Sequence, residues 1–215
     1  SWDTAFVHAE QNDVVVIAAA GNRGSGTAQV SAPATIPGVL TVGGVDRAGR
    51  ASDNASAQGI TIGVMAPSEG LVGAIPGGGH SAWQGTSGAT PIVAGIAALV
   101  RAAHPDLDAN NVINRIVKTA TPAAGATAER DPLYGYGLVD AAAAVKASVA
   151  PVTANPMGSL AEWIRVYRRA DSGPAPAPTV EPVVIAPLPP AEAAPLPVSA
   201  LLPTRDTVLY GSLPL

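Results

Sequence analysis

Seventeen consecutive residues, Ser87 to Ala103, constrain this chain more than any others. They contain one charge, Arg101, and are apolar on nearly every face. A run of this length is too long for a strand and predicts a buried helix. Pro91 is expected in its first turn, where a missing N–H costs little. His104-Pro105 should end it, because the residue before a proline avoids helical backbone. A helix this apolar needs covering layers.

The rest of the sequence supplies them. Residues 3–12 read as the end of an amphipathic helix, and VVVIAAA (14–20) as a strand buried on both faces of a parallel sheet. Further strands are expected over 39–45, 60–67 and 71–75, the last closed by Pro76 and a glycine-rich turn that includes His80. Asp106 or Asp108 should cap a helix that places Val112, Ile113, Ile116 and Val117 on one face. YGYGLV (134–139) reads as a short strand, and Asp140 as the cap of an Ala-rich helix reaching about residue 149. The expected fold class is therefore α/β with a parallel sheet.

Thirteen of the 21 prolines fall in the last 65 residues, which predicts a globular unit over 1–150. A linker with one short amphipathic helix should occupy 151–173, and a disordered Pro/Ala-rich tail 174–215. The net charge of −4 and the absence of any Lys/Arg block speak against nucleic acid as a partner. With no cysteine there is no thiol catalysis and no disulfide. Prolines interrupt every apolar stretch after residue 150, so no transmembrane segment is expected there. The chain opens on Ser1 in what reads as mid-domain sequence, so a missing N-terminal part is expected.

Two short patterns can carry chemistry. In Gly85-Thr86-Ser87-Gly88-Ala89-Thr90-Pro91, a serine at the head of an apolar helix sits where the helix dipole stabilises negative charge. The plainer alternative is an N-cap serine. A G-x-S-x-G elbow is not supported, because Ala89 stands where the second glycine belongs. In Ala18-Ala19-Ala20-Gly21-Asn22, a buried strand delivers a carboxamide to the C-terminal edge of a parallel sheet, where such folds place their sites. That carboxamide can donate to an oxyanion, or it can simply close an Asx-turn. A phosphate loop over 21–26 is excluded: Pro33 and Pro37 prevent the helix it needs, and no Walker lysine follows.

Taken together, GTSGATPIVAGIAALVRAAHPDL and the upstream VVVIAAAGN resemble the subtilase family of serine proteases. APATIPGVLTVGGVD (32–46), GVMAP (63–67) and YGYGLVDAAAAV (134–145) follow in family order, and the resemblance covers roughly residues 1–149. It implies the C-terminal half of a subtilisin-like three-layer fold and the activity of a serine endopeptidase acting on proteins or peptides. Ser87 would be the nucleophile, and Asn22 with the Ser87 N–H the oxyanion hole. Ala19, Ala20 and Gly21 would line part of the pocket for the residue on the acyl side. Ala32-Pro33 matches a position that is cis in some relatives. Gly88 stands where relatives often carry a methionine, which removes an oxidisable side chain.

The family's triad aspartate and histidine come before the serine, and this chain is expected to start after both. A serine hydroxyl is a weak nucleophile without a base. His104 follows Ser87 by 17 residues on one helix, about 25 Å away, too far to serve. His8 reads as a surface or packing residue, and His80 as a substrate contact at most. Asp3, Asp13, Asp46 and Asp53 read as caps and turn residues. The chain is thus expected to be inactive alone, with a hydrophobic sheet edge exposed. The resemblance also implies an extracellular or cell-envelope location, and calcium sites in the complete protein, although no acidic cluster here has ligand spacing.

The 158–171 helix and the Pro-rich segment resemble those of actinobacterial subtilases, including the mycosins of type VII secretion. There a Pro-rich spacer usually precedes a membrane anchor. The helix is expected to pack on the protease domain, with contact at a membrane interface as the alternative. A separate reading of the whole chain is a non-catalytic envelope-binding or scaffold protein that keeps the half-fold.

Overall fold

The computed structural model describes residues 2–123, 126 and 129–168, so the tail expected over 174–215 lies outside the described residues. Three strands, Ile17–Ala19 (β1), Leu40–Val45 (β2) and Ile62–Pro67 (β3), form a parallel sheet in that order. All six residues of β2 are buried, as an uninterrupted apolar strand requires when both faces are covered. A hairpin follows, Leu71–Ala74 (β4) paired antiparallel with His80–Trp83 (β5). The glycine-rich turn is therefore shorter than expected. His80 lies beyond it and opens β5 opposite Ala74.

Five α-helices and a 3-10 turn at Arg23–Ser25 complete the described chain: Asp3–Gln11 (α1), Thr86–Ala103 (α2), Ala109–Lys118 (α3), Ala141–Lys146 (α4) and Leu160–Tyr167 (α5). Asp108, not Asp106, caps α3 by accepting from Asn111 N at 2.8 Å, and Asp140 caps α4 through Ala143 N at 2.8 Å. The main core lies between the sheet and α2–α4. It joins Leu40, Val42 and Val64 to Val93, Ile96 and Val100 of α2 and to Val112, Ile113 and Ile116 of α3. A smaller cluster, Ala20, Val45, Ala57, Ile62 and Met65, lies apart from it.

Two of the apolar segments are less covered than their sequences demand. The run 14–20 was expected to be buried on both faces, yet β1 is only half-buried and Val14 is 51% exposed. The reason is topological: among the described residues β1 pairs with β2 alone, leaving its other edge free. Likewise α2 buries one face, while Ile92 and Leu99 stand exposed on the other. Pro91 is the sixth residue of α2, beyond the first turn, so it withholds the i+4 donor from the Ser87 carbonyl.

The segment 134–139 is not a regular strand. It runs beside β3 through isolated bonds, with Tyr136 N donating to Gly63 O at 2.7 Å and Val139 N to Met65 O at 2.9 Å. Gly137, at φ +120°, breaks the regular pairing, and a Cβ there would press on Thr121 O at 2.1 Å.

The chain stays packed past residue 150. Asn114 Nδ2 donates to Ala150 O at 3.0 Å, Val152 N to Asn111 Oδ1 at 2.8 Å, and Asn155 Nδ2 to Gly38 O at 3.0 Å. Met157 and Leu160 are buried. The amphipathic helix α5 docks on α1: Ala161 N donates to Glu10 Oε2 at 3.3 Å, and Arg168 pairs with Asp3.

Between β2 and the polar loop after it, Asp46 organises a tight turn. It accepts from Ala48 N at 2.8 Å, Arg50 N at 2.9 Å and the Arg50 guanidinium at 3.0 Å. The Arg50 backbone N–H, then its side chain and Ala48 N, hold the Asp46 carboxyl below the ordinary carboxylate value. A depressed folded pKa means the turn is favoured above the unfolded value and loses that support as pH falls through the folded one. A carboxyl titration followed by NMR should show Asp46 ionising below the ordinary aspartate value. Ile116→Ala should cost about 2–5 kcal/mol in urea unfolding of this chain, whereas Leu99→Ala on the open face should stay within about 0.5 kcal/mol.

Candidate active site

The head of α2 and the end of β1 are joined by three hydrogen bonds. Thr86, fully buried, donates from its backbone N to Asn22 Oδ1 at 2.8 Å and from Oγ1 to the same atom at 3.0 Å. Gly21 N in turn donates to Thr86 Oγ1 at 3.1 Å. Ala57 N donates to Gly21 O at 2.6 Å, which fixes the strand end from its other side. The two sequence patterns, 64 residues apart, thus meet at one point.

This bonding decides which way the carboxamide faces. With Oδ1 accepting two hydrogen bonds, exchanging its oxygen and nitrogen would set donors against donors. Nδ2 is therefore turned outward with its hydrogens available. Asn22 makes no Asx-turn; its acceptor is spent on Thr86. Ser87 is not the N-cap either. Gly85 holds that position and has no side chain to cap with, so the first helical N–H, that of Thr86, is taken by Asn22 Oδ1 from across the sheet end. Ser87 is exposed in the first turn, and among the described residues neither its Oγ nor its N–H has a hydrogen-bond partner. A hydroxyl, a first-turn N–H and a carboxamide N–H₂ are left free at the positive end of a helix, an arrangement able to hold an oxyanion.

The other expected site residues lie directly upstream. Ala19 ends β1 half-buried, Gly21 takes φ +105°, and Ala20 packs with Val45, Ala57, Ile62 and Met65 in the smaller core cluster. Ala32-Pro33 is cis, as expected. Of the histidines, His8 is exposed on α1, His80 opens β5, and His104 Nε2 lies 2.7 Å from Val145 O at the far end of α2. None bonds Ser87. The aspartates are structural: Asp13 accepts from Ala109 N at 2.5 Å and from Arg101 at 3.1 Å, and Asp53 pairs with Arg23 at 3.3 Å.

Sequence reasoning missed the locking role of Thr86, although it stands inside the quoted motif, and it treated Gly88 only as a lost methionine. The hairpin explains Gly88. A Cβ there would come 2.4 Å from Leu71 Cδ1 and 3.0 Å from Trp83 Cη2, so these two side chains occupy the space beside the serine. Next to Asn22 opens a pocket of about 320 Å³, lined by Asn22, Gly24, Ser25, Asn54, Ala55, Gln84 and Gly85.

Residues 1–137 match the family model described as the subtilase family, which is well over half the chain. The chain belongs to the subtilase family. It is 39% identical over 145 residues to a subtilisin of Bacillus pumilus, covering 66% of this chain and 50% of that protein. The patellamide maturation protease PatA superposes with a TM-score of 0.58 at 35% identity, over 66% of this chain and 54% of that one. MycP1 of Mycobacterium smegmatis superposes with a TM-score of 0.56 at 30% identity, over 68% and 47% respectively. The chain spans half or less of the length of the curated subtilisins it matches. Its parallel sheet and packed helices are the corresponding part of the subtilisin-like fold.

Two substitutions test this subtilase site as a structure. Thr86→Val keeps the shape but removes the hydroxyl and orphans Gly21 N, which should cost about 1–3 kcal/mol of unfolding free energy. Gly88→Met must displace Leu71 and Trp83 and should cost about 1–3 kcal/mol by overpacking. Denaturant melts that coincide with the parent would contradict both accounts.

Proposed function

We propose that this chain carries the nucleophile and the oxyanion hole of a serine endopeptidase. Ser87 Oγ attacks the scissile carbonyl and gives its proton to a histidine base supplied by the preceding half of the family fold, together with the aspartate that orients it. The tetrahedral oxyanion accepts from Ser87 N–H and Asn22 Nδ2. Collapse breaks the C–N bond, the base returns the proton to the leaving amine, and an acyl-enzyme ester remains on Ser87. Water hydrolyses it with the same base. Ala19, Ala20 and Gly21 form part of the wall on the acyl side.

The observation that carries this reading is the Asn22 carboxamide, held by Thr86 with Nδ2 free beside an unpaired Ser87. The free edge of β1 and the uncovered Ile92–Leu99 face of α2 support it further. Both lie where another strand and helix would extend the fold. On this reading the substrates are proteins or peptides, the chain alone is inactive, and the complete protein works outside the cell or in its envelope. Among the described residues no group of three His, Asp or Glu side chains gathers to hold a metal, and calcium belongs to the proposal only for the complete protein.

A second reading, a non-catalytic envelope-binding protein that keeps the half-fold, draws on one observation: among the described residues no histidine bonds Ser87. The two readings separate in one experiment. A fluorophosphonate probe should label the full-length protein at Ser87, and Ser87→Ala should abolish labelling. Asn22→Leu should lower turnover by about 10²–10³, the loss measured when this donor is removed from a subtilisin. Labelling that survives Ser87→Ala removes Ser87 from its role, and a protein that neither labels nor cleaves favours the second reading.

A further inference from the structure

Asn22 sits in backbone that has little conformational preference of its own. Gly21 takes φ +105° and Gly26 φ +87°, with Gly24 between them. Glycine-rich backbone reaches many conformations, so a strand end that leads into it is held only by what it bonds. Thr86 ties down the Asn22 carboxamide at Oδ1. A side chain fixed at one atom still moves with the backbone that carries it, and that backbone needs a restraint of its own.

The residues on both sides of Asn22 are fastened to one loop, 52–57. Ala57 N donates to Gly21 O at 2.6 Å, and Gly24 N donates to Asn54 O at 2.9 Å. Arg23 supplies the side-chain tie: its Nε donates to Ser56 O at 2.9 Å and its Nη2 to Ser52 O at 3.0 Å. The loop is itself anchored to β2. Ser52 N donates to Gly44 O at 2.9 Å, and Gly44 N donates to Ser56 Oγ at 3.1 Å. Ser52 Oγ accepts from Ala55 N at 2.8 Å and donates to Glu69. Ser52, Ala55, Ser56 and Ala57 are all buried, so Arg23 grips a fixed part of the core. Its salt-bridge partner Asp53 has a side chain 97% exposed, where an ion pair contributes little, and the two carbonyls account for the placement.

Accepting Ser87 and Asn22 as the reacting centre of a protease, we propose that Arg23 is a positioning residue for the oxyanion donor: by spanning the Ser52 and Ser56 carbonyls it fixes the backbone from which the Asn22 carboxamide projects. Thr86 sets which way the carboxamide faces, and Arg23 sets where it stands. The backbone ties at Gly21 and Gly24 are open to any residue at position 23; the clamp is what the arginine adds. Without it two carbonyls of buried residues lose their donors, and the loop or the strand end must shift to find others. Lysine does not reproduce the arrangement, because a single ammonium lacks the planar fork that reaches both oxygens. Placement matters because a donor must stand about 2.7–3.1 Å from the developing oxyanion, and an error of about 1 Å costs about 10²-fold.

The test uses the full-length protein, with active enzyme counted by fluorophosphonate labelling carried to completion so that misfolded molecules are left out. Arg23→Met keeps the bulk but removes the donors, and should lower kcat by about 10- to 100-fold while KM changes by less than about threefold. Arg23→Lys should fall between the parent and Arg23→Met, and Asp53→Ala should stay within about twofold of the parent. The deciding measurement is a double-mutant cycle. In an Asn22→Leu background no carboxamide remains to be placed, so Arg23→Met should lower kcat by less than about a further twofold. The same fold-loss in both backgrounds is what a merely structural role gives, and it overturns the proposal. An unchanged kcat, a loss confined to KM, or a loss in Asp53→Ala equal to that in Arg23→Met overturns it as well. Should Arg23→Met fail to fold, Arg23→Lys carries the same cycle. If no Ser87-dependent cleavage occurs at all, the protease reading falls first and takes this one with it.

Discussion

The candidate site of this fold depends on one junction: two hydrogen bonds from Thr86 to a single oxygen of Asn22. A carboxamide on a strand end is ordinarily free to rotate. Here its acceptor is saturated by a buried threonine at the first position of the facing helix, so its donor can point only outward. Preorganisation of that kind is what makes an electrostatic site effective, because the donors need not reorganise when charge develops. The parallel pairing of β1 with β2 and the packing of Val93, Ile96 and Val100 on the sheet keep the two ends in register.

The architecture is asymmetric around that junction. On one side α2 is closed by α3, α4 and the segment through Met157, and Arg115 satisfies the end of α4 by donating to Ala144 O at 2.8 Å and Ala147 O at 2.6 Å. On the other side an apolar helix face and a strand edge remain open among the described residues. The open surfaces belong to the same two elements that deliver Asn22 and Ser87. Between them, the strand end and the helix head leave a carboxamide N–H₂, a first-turn N–H and a hydroxyl free among the described residues.

Most local elements were legible in the sequence, because their signals are local. Asp108 and Asp140 stand where caps belong, the β2 run is too apolar for anything but a covered strand, and Val112, Ile113 and Ile116 repeat at helical spacing. The meeting of the Asn22 strand end with the head of α2 was legible only through family resemblance; nothing in either segment specifies the Asn22–Thr86 contact across 64 residues. β5 was not legible at all, since HSAW is exposed at every position and becomes a strand only by pairing with β4. The open face of α2 was misread for the converse reason. Composition reports how much burial a helix calls for, not how much the surrounding chain provides.

Gly88 shows how the hairpin and the site constrain each other. Trp83 and Leu71 come from the two strands of the hairpin and converge on the residue that follows Ser87, so a side chain there would have to displace their outer ends. Gly73, facing the indole from β4, is under the same restriction, since a Cβ would lie 2.7 Å from Trp83 Nε1. The indole is therefore held between two glycines. A larger residue at position 88 would have to turn the Leu71 and Trp83 side chains aside. The hairpin, exposed along most of its length, thus bears on the same helix head that Thr86 ties to the strand.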